Sequence, residues 1–413
     1  MITRILAIES SCDETAAAVI ENGTTILSSL VASSSLIHKK YGGIVPELAA
    51  REQIQSIIPV IKEALEPFKT QNNDKTYLQI IKDNIDAIAI TIGPGLIGSL
   101  LVGVETAKTI SYATGIPIIP VNHVIAHMYA NFLDFEPSVV SHTPRKDSGE
   151  AGQSSANSCQ LKAESRKLIA FPAISLVVSG GHTELFLMKS KKEISWLGGT
   201  LDDAAGEAFD KTARLLGFEN RGGVAIEKAA QVFVESYQLS AISQSIKLPR
   251  PYLPDKPYSF SFSGLKTAVM REWMKCHPGL DPGSSSIVLD SGSEAEMTGN
   301  NHSLVNMFAY EIQESITEVL VKKTVNAAKK NNAKSILLSG GVASNIRLRE
   351  KFYQSILATD NIGIHIPPPN LCTDNAAYIG ACAHILNVSV PWNEITAVPD
   401  LSVEINTEFS RMV

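Results

Sequence analysis

A turn that occurs three times limits what this chain can become. An apolar run at residues 174–178 is cut by Ser179-Gly180-Gly181, and the chain re-enters a strand pattern at 185–188. A second apolar run, 336–338, meets Ser339-Gly340-Gly341 and passes into a helical pattern. Paired glycines carry no Cβ, so their backbone N–H groups can approach an anion closely, as a phosphate-binding turn requires. A third polar turn, residues 9–15, lies between the apolar runs 5–8 and 16–20. One strand–Gly-Gly–strand unit is also an ordinary hairpin. Three such turns predict a nucleotide held between two related halves.

The remaining periodicities give alternating strands and helices. Residues 5–8, 16–20 and 25–31 read as a three-stranded meander. Residues 47–65 read as a helix with Ile54, Ile58, Ile61 and Leu65 on its buried face and a kink at Pro59. A buried strand at 85–92, a turn at Gly93-Pro94-Gly95, a helix at 100–113 and a strand at 116–121 follow. The second half has strands at 174–178, 184–188 and 335–338, and helices at 202–216 and 304–330. In the latter helix Leu304, Phe308, Ile312, Ile316 and Leu320 recur every four residues, a core-facing stripe. The expected fold is α/β, two-lobed and internally duplicated, with a ligand cleft between the lobes. The first lobe is expected at 1–122, completed by a C-terminal helix at 376–400, and the second at 123–375. Segments 137–167 and 276–303 are rich in Ser, Gly, Asn, Glu and Pro without periodicity, and are expected to be disordered inserts.

Composition excludes several classes. With 413 residues, 44% of them apolar, the chain can bury a large core and is expected to hold more than one domain. A net charge of −6 gives no global basic footprint, so any contact with RNA must be local or shared with a partner. The five cysteines are scattered, and the N-terminus runs directly into a strand pattern; a reducing, cytoplasmic location is expected. The most apolar window, 85–104, is broken by Gly93-Pro94-Gly95 and Gly98 and reads as strand, turn and helix, not as a membrane span.

His123 and His127 follow the strand ending at Val121, with Asn122 placed as an N-cap. Spacing i, i+4 puts both imidazoles on one helix face, where they can share an ion. The glutamate of an HExxH protease is absent, Val124 standing in its place. A third ligand must come from elsewhere. Asp374, at a strand-to-helix junction, offers one, or else caps the helix that follows.

In chain order, residues 9–15 (ESSCDET), 41–49 (YGGIVPELA), 93–96 (GPGL), His123 and His127, 179–183 (SGGHT), 202–211 (DDAAGEAFDK), 260–266 (FSFSGLK), Ser339-Gly340-Gly341 with Asn345, and 372–375 (CTDN) are similar to the motifs of the TsaD (Gcp/YgjD) family. The resemblance covers the chain apart from the two inserts. It implies an actin/Hsp70-like fold and transfer of threonylcarbamoyl from threonylcarbamoyl-adenylate to N6 of adenosine 37, in tRNAs reading codons that begin with A. It assigns His123, His127 and Asp374 to one divalent metal ion, Fe²⁺ or alternatively Zn²⁺. Val177, Val178, Ser179, Gly180, Gly181, Asp210, Gly223 and Asn345 would line the adenylate site. Asp13 and Glu14 are the candidates to orient or deprotonate the attacking amine. A TsaB-like paralogue and a TsaE-like ATPase are the implied protein partners.

The sequence departs from the family pattern at two places, with Gly198-Gly199-Thr200 for Gly-Glu-Thr and Arg221-Gly222-Gly223 for Pro-Gly-Gly. Two other readings stay open. A kinase, ATPase or nucleotide-binding scaffold of the same fold would hold Mg²⁺ through carboxylates and phosphates rather than histidines. A metalloprotease would need the missing glutamate.

Overall fold

The computed structural model of the chain describes residues 3–41, 43–71, 74–134, 168–218, 222–236, 246–276, 299–357 and 362–403. Within them the first sheet holds β1 (Arg4–Glu9), β2 (Glu14–Glu21), β3 (Thr25–Ser33), β4 (Ala87–Gly93) and β5 (Ile118–Asn122), in the order β3-β2-β1-β4-β5. The second holds β6 (Ala173–Val178), β7 (Thr183–Met188), β8 (Ile194–Gly199), β9 (Ser335–Ser339) and β10 (Gly363–His365), in the order β8-β7-β6-β9-β10. The two orders are the same pattern twice. In each sheet the first strand pairs antiparallel with the second and parallel with the fourth. This is the duplication that the recurring turns predict.

Both faces of the first sheet are buried, which is why its strands read as near-continuous apolar runs. Alternate residues serve different cores. Leu6, Ile8, Val19, Ile88 and Ile90 pack outward with the helices Pro46–Ala64 and Ile97–Thr114. Ile5, Ala7, Ala16, Ala18, Ala87 and Ala89 face inward, into a core shared with β6 and β7 of the second sheet. The helices His123–Tyr129 and Ala377–Leu386 fill that shared core. Inward positions are small because the second of these helices lies close: a Cβ on Gly380 would come within 2.6 Å of Ile20. A third core joins the outer face of the second sheet to the helices Ala205–Leu215, Gly222–Ser236, Ser263–Cys276 and Gly299–Lys330, with Phe308, Ile312, Ile316 and Leu320 fully buried as their spacing predicts.

Three expectations need correction. The 47–65 stripe is rotated: Ile54 and Ile58 are 64% and 46% exposed, while Gln53, Ile57, Val60, Ile61 and Ala64 are buried. The helix runs through Pro59, and its rotation is set by Gln53, whose Nε2 donates to the carbonyls of Cys12 and Glu14, both at 3.0 Å. Buried hydrogen bonds outrank the apolar pattern here. The C-terminal helix ends at Leu386, where Asn387 takes a left-handed cap conformation; the chain then returns along the first lobe, with Val390 N–H bonded to Ile118 O and Val398 N–H to Ile92 O. The expected insert at 276–303 is shorter at both ends, since Cys276 closes one helix and Gly299 opens the next. The rest of it, and the whole of 137–167, lie outside the described residues. Among the described residues no helix is long and apolar enough to cross a membrane.

Candidate active site

The two histidines arise where β5 stops. Asn122 caps the helix that starts at His123, its side chain accepting from the N–H groups of Val124 (3.0 Å) and Ile125 (3.2 Å). This cap fixes the first helical turn and points both imidazoles to one side. At the other junction the capping falls to Asn375, whose Oδ1 accepts from the N–H groups of Ala377 (3.0 Å) and Tyr378 (3.4 Å). Asp374 is thereby released from capping and turns toward the histidines.

Three ligand atoms meet. His123 Nε2 and His127 Nε2 are 3.3 Å apart, and Asp374 Oδ1 lies 3.7 Å from the first and 3.4 Å from the second. Tyr378 Oη adds a fourth polar atom, 3.4 Å from both His127 Nε2 and Asp374 Oδ1. These gaps are longer than charge-assisted hydrogen bonds, which sit at about 2.7–2.9 Å. They suit donors arranged about an ion, each about 2.0–2.2 Å from it. Two neutral imidazoles and a carboxylate on one side of an ion leave its other positions open. The cluster is a possible His/His/Asp metal site. His127 Nδ1 is buried and finds no partner among the described residues.

Charge at the site is matched from behind. Glu9, 1% exposed at the end of β1, has Oε2 3.1 Å from His123 Nδ1, and its carboxylate accepts from Ser11 N–H (2.6 Å) and the Thr91 hydroxyl. Ser11 Oγ is also 3.2 Å from His123 Nδ1. A carboxylate behind a ligating imidazole fixes the ring and raises its basicity. Burial disfavours charge on His123, but Glu9 and Asp374 outweigh it and lift the imidazole to about 9. Burial likewise opposes ionisation of Asp374, yet the charge of His123 and the hydrogen bond and charge of His127 hold its carboxyl well below the usual range. His182 is pushed down to about 4 by burial and by the two neighbouring imidazoles, so it stays neutral near pH 7.

The Gly-rich turns meet across the second lobe. Gly340, at φ +90°, backs directly onto Val178, where a Cβ would fall 2.4 Å from the carbonyl oxygen. Val177 and Val178 are fully buried strand residues, whereas Gly180 and Gly181 are exposed with open space beside them. Ser179 closes this turn, its N–H donating to His182 O at 2.8 Å and its Oγ accepting from His182 N–H at 3.2 Å. Asp210 is raised by burial despite hydrogen bonds from the N–H groups of Gly222 and Gly223, so it caps the helix beginning there. Asn345 is also engaged: its Oδ1 accepts from Leu348 N–H (2.9 Å) and its Nδ2 donates to Gln313 Oε1 (3.0 Å).

The first turn separates its two acids. Glu14 Oε1 accepts from Ser33 Oγ at 2.8 Å, across to β3. Asp13 keeps a carboxyl raised by burial and by the negative charge of Asp374, which ties it electrostatically to the histidine cluster. The motifs at 9–15 and 179–183 contain Glu9, Ser11 and His182 without giving them a role, and no motif contains Tyr378. Glu9 is 114 residues from His123, and the only local signal was a carboxylate ending an apolar strand. Arg221 lies outside the described residues.

Fold and site together define a duplicated α/β protein of the actin/Hsp70-like class with a possible metal centre between its lobes. The structure resembles that of full-length HypF in the phosphate- and nucleotide-bound form, with a TM-score of 0.51 at 11% identity over 93% of this chain and 46% of that one. The sequence model of the TsaD family, described as tRNA N6-adenosine threonylcarbamoyltransferase, matches residues 25–144 and 153–381. A tRNA N6-adenosine threonylcarbamoyltransferase of Dehalococcoides mccartyi is 40% identical over 402 residues, 97% of this chain and 99% of that protein. One from Shouchella clausii is 39% identical over 383 residues, 93% of each. The chain belongs to the TsaD family of transferases.

Proposed function

We propose that this tRNA N6-adenosine threonylcarbamoyltransferase takes its acyl group from threonylcarbamoyl-adenylate and delivers it to adenosine 37 of tRNAs reading codons that begin with A. The observation that carries the reading is the convergence of His123, His127 and Asp374 between the two lobes, with His182, next to Gly180 and Gly181 in their turn, 6.4 Å from His123 between ring centroids. The exocyclic amine is a poor nucleophile because its lone pair is delocalised into the ring. Positioning and polarisation must therefore supply most of the rate. The amine nitrogen bonds to the carbamoyl carbon, the carbon–oxygen bond to the phosphate breaks, and AMP departs with that electron pair. The amine proton passes to Asp13, whose raised carboxyl suits it better than Glu14, already bonded to Ser33.

The N–H groups of Gly180 and Gly181 receive the adenylate phosphate, and Val177, Val178, Ser179, Asp210, Gly223 and Asn345 frame the nucleoside. Iron(II) fits the His/His/Asp donor set, with zinc the alternative, and either ion when bound supplies a Lewis acid for a ligand oxygen. Glu9 and Ser11 hold His123 in orientation. An anticodon loop, its bases splayed outward, enters at the cleft mouth.

The two lobes are read as 1–122 with the C-terminal helix, and 123–375. The packing of Ala377–Leu386 against β1, β2, β4 and β5 of the first sheet supports that division. A TsaB-like paralogue is read onto the outer face of the first lobe. There Ile54 and Ile58 of one helix, and Ile97 and Leu101 of its neighbour, are exposed beside the close contact of Ala50 with Gly98. A TsaE-like ATPase completes the system, which is read as cytoplasmic.

The test is reconstitution with both partners, threonylcarbamoyl-adenylate and unmodified tRNA, followed by nucleoside mass analysis. Threonylcarbamoyl-adenosine and AMP are expected. Phosphorylation of a small molecule from ATP, with no modified nucleoside, would favour a kinase instead.

A further inference from the structure

His38 lies outside everything described so far. It ends the short helix Ser35–His38 on the segment linking β3 to the Pro46–Ala64 helix, and it is 4% exposed. That segment is fastened to the first turn of the chain: Ser34 donates to the carbonyl of Asp13 through Oγ at 2.7 Å and through its N–H at 3.4 Å. His38 N–H in turn donates to Ser34 O at 3.4 Å, so His38 sits one helical turn from the residue that fastens this segment to Asp13.

The two ring nitrogens have different duties. Nδ1 accepts from Val45 N–H at 3.3 Å. A neutral imidazole that accepts at Nδ1 carries its hydrogen on Nε2. His38 Nε2 is buried and has no hydrogen-bond partner among the described residues. A buried donor without a partner is disfavoured and rare, and it calls for an acceptor that arrives with substrate or on rearrangement. On the turn that Ser34 fastens, the available acceptor is the Asp13 carboxylate, within electrostatic reach of His38 and held so far by its own N–H and by the Cys12 thiol.

We propose that His38 is a positioning residue of the transfer site: its Nε2–H donates to the Asp13 carboxylate and fixes which Asp13 oxygen faces the attacking amine. The proposal rests on the reading of Asp13 as the acceptor of the amine proton. His38 does not touch the reacting atoms. The same imidazole links the loop, through Val45, to the carboxylate, so loop position and acceptor orientation are set together.

Two substitutions separate the two nitrogens. His38→Asn places an amide oxygen near Nδ1, preserving the Val45 contact while removing the Nε2 donor. His38→Gln places an amide nitrogen near Nε2, restoring that donor. In the reconstituted system with partners, adenylate and tRNA, His38→Asn is expected to lower kcat about tenfold, the loss of one orienting hydrogen bond. KM for tRNA and the thermal midpoint should be nearly unchanged, and His38→Gln should recover most of kcat. Asp13→Asn should lose more than His38→Asn, and adding His38→Asn to it should cost nothing further, because the residue served is already gone. Multiplicative losses in the double variant, wild-type kcat in His38→Asn, or no recovery in His38→Gln would overturn the role of His38 while leaving Asp13 in place. Full activity of Asp13→Asn would instead remove the Asp13 reading, and the proposal with it.

Discussion

Glu184 occupies the space that a side chain at position 199 would enter. The two residues are cross-strand partners in β7 and β8, and a Cβ on Gly199 would lie 2.0 Å from Glu184 Oε2. The Glu184 carboxylate is held there by Trp196, whose Nε1 donates to Oε2 at 2.7 Å. The departure from Gly-Glu-Thr at 198–200 therefore has a local consequence: a carboxylate still stands at this spot, supplied from the neighbouring strand. Gly199→Glu should destabilise the chain by about 1–3 kcal/mol through overpacking alone, with like-charge repulsion added. The double variant Glu184→Ala/Gly199→Glu should regain much of that loss. Thermal melts of both decide it; a Gly199→Glu protein as stable as wild type would show that Glu184 moves aside freely.

For the metal centre, replacing His127 with alanine should abolish most bound metal and leave the fold intact. The cores packed on either side of the site are large and do not depend on one ion. Metal content by elemental analysis, set beside circular dichroism, provides the check. Full occupancy in His127→Ala would dismiss the assignment. Asp374→Ala should abolish transfer, with a smaller effect on tRNA binding, because this side chain lies at the histidines, not on the RNA path.

Acid sensitivity should come partly from Glu314. Burial opposes its ionisation, but hydrogen bonds from Arg347 Nε (2.6 Å) and Lys351 Nζ (2.9 Å) hold its carboxyl below the usual glutamate value. A depressed folded-state pKa gives stability that is complete above the unfolded value, about 4.3, and is lost as pH falls through the lower folded value. Glu314→Gln should therefore lose about 1–3 kcal/mol at pH 7. The gap to wild type should narrow steadily below pH ~4.3. Denaturant melts at pH 7 and in that acid range check the sign; a gap that widens in acid would contradict it.

The outer face of the first lobe yields a prediction of the opposite kind. Ile54 and Ile58 are exposed, so Ile54→Asp/Ile58→Asp should leave the free energy of unfolding within about 0.5 kcal/mol of wild type. Association with a TsaB-like partner should be lost, as followed by size-exclusion chromatography. A double variant that fails to fold would return these residues to the core, where the sequence pattern first placed them.

The helix from Pro46 shows where a sequence pattern misleads. Ile54, Ile58, Ile61 and Leu65 form an apolar stripe, yet only the last two are buried. Gln53 decides the rotation through hydrogen bonds to a turn about forty residues earlier, and no local period encodes such a partner. The Gly299–Lys330 helix is the contrary case. From Phe308 to Leu320 its stripe is buried as read, and the buried polar partners of Glu311, Gln313 and Glu314 leave that rotation in place.

The duplicated plan, the metal-type spacing of His123 and His127, the capping role of Asn122 and the family are all legible along the chain. Each is carried by neighbours in the chain or by repetition along it, and local sterics act at that range. Tertiary structure alone decided that Asn375 rather than Asp374 caps the last long helix, that Glu9 and Tyr378 attend the histidines, and that Glu184 fills the place beside Gly199. Those outcomes depend on which side chains meet after the two sheets close on their shared core. Burial then requires each polar atom to find its partner at whatever sequence distance the fold provides.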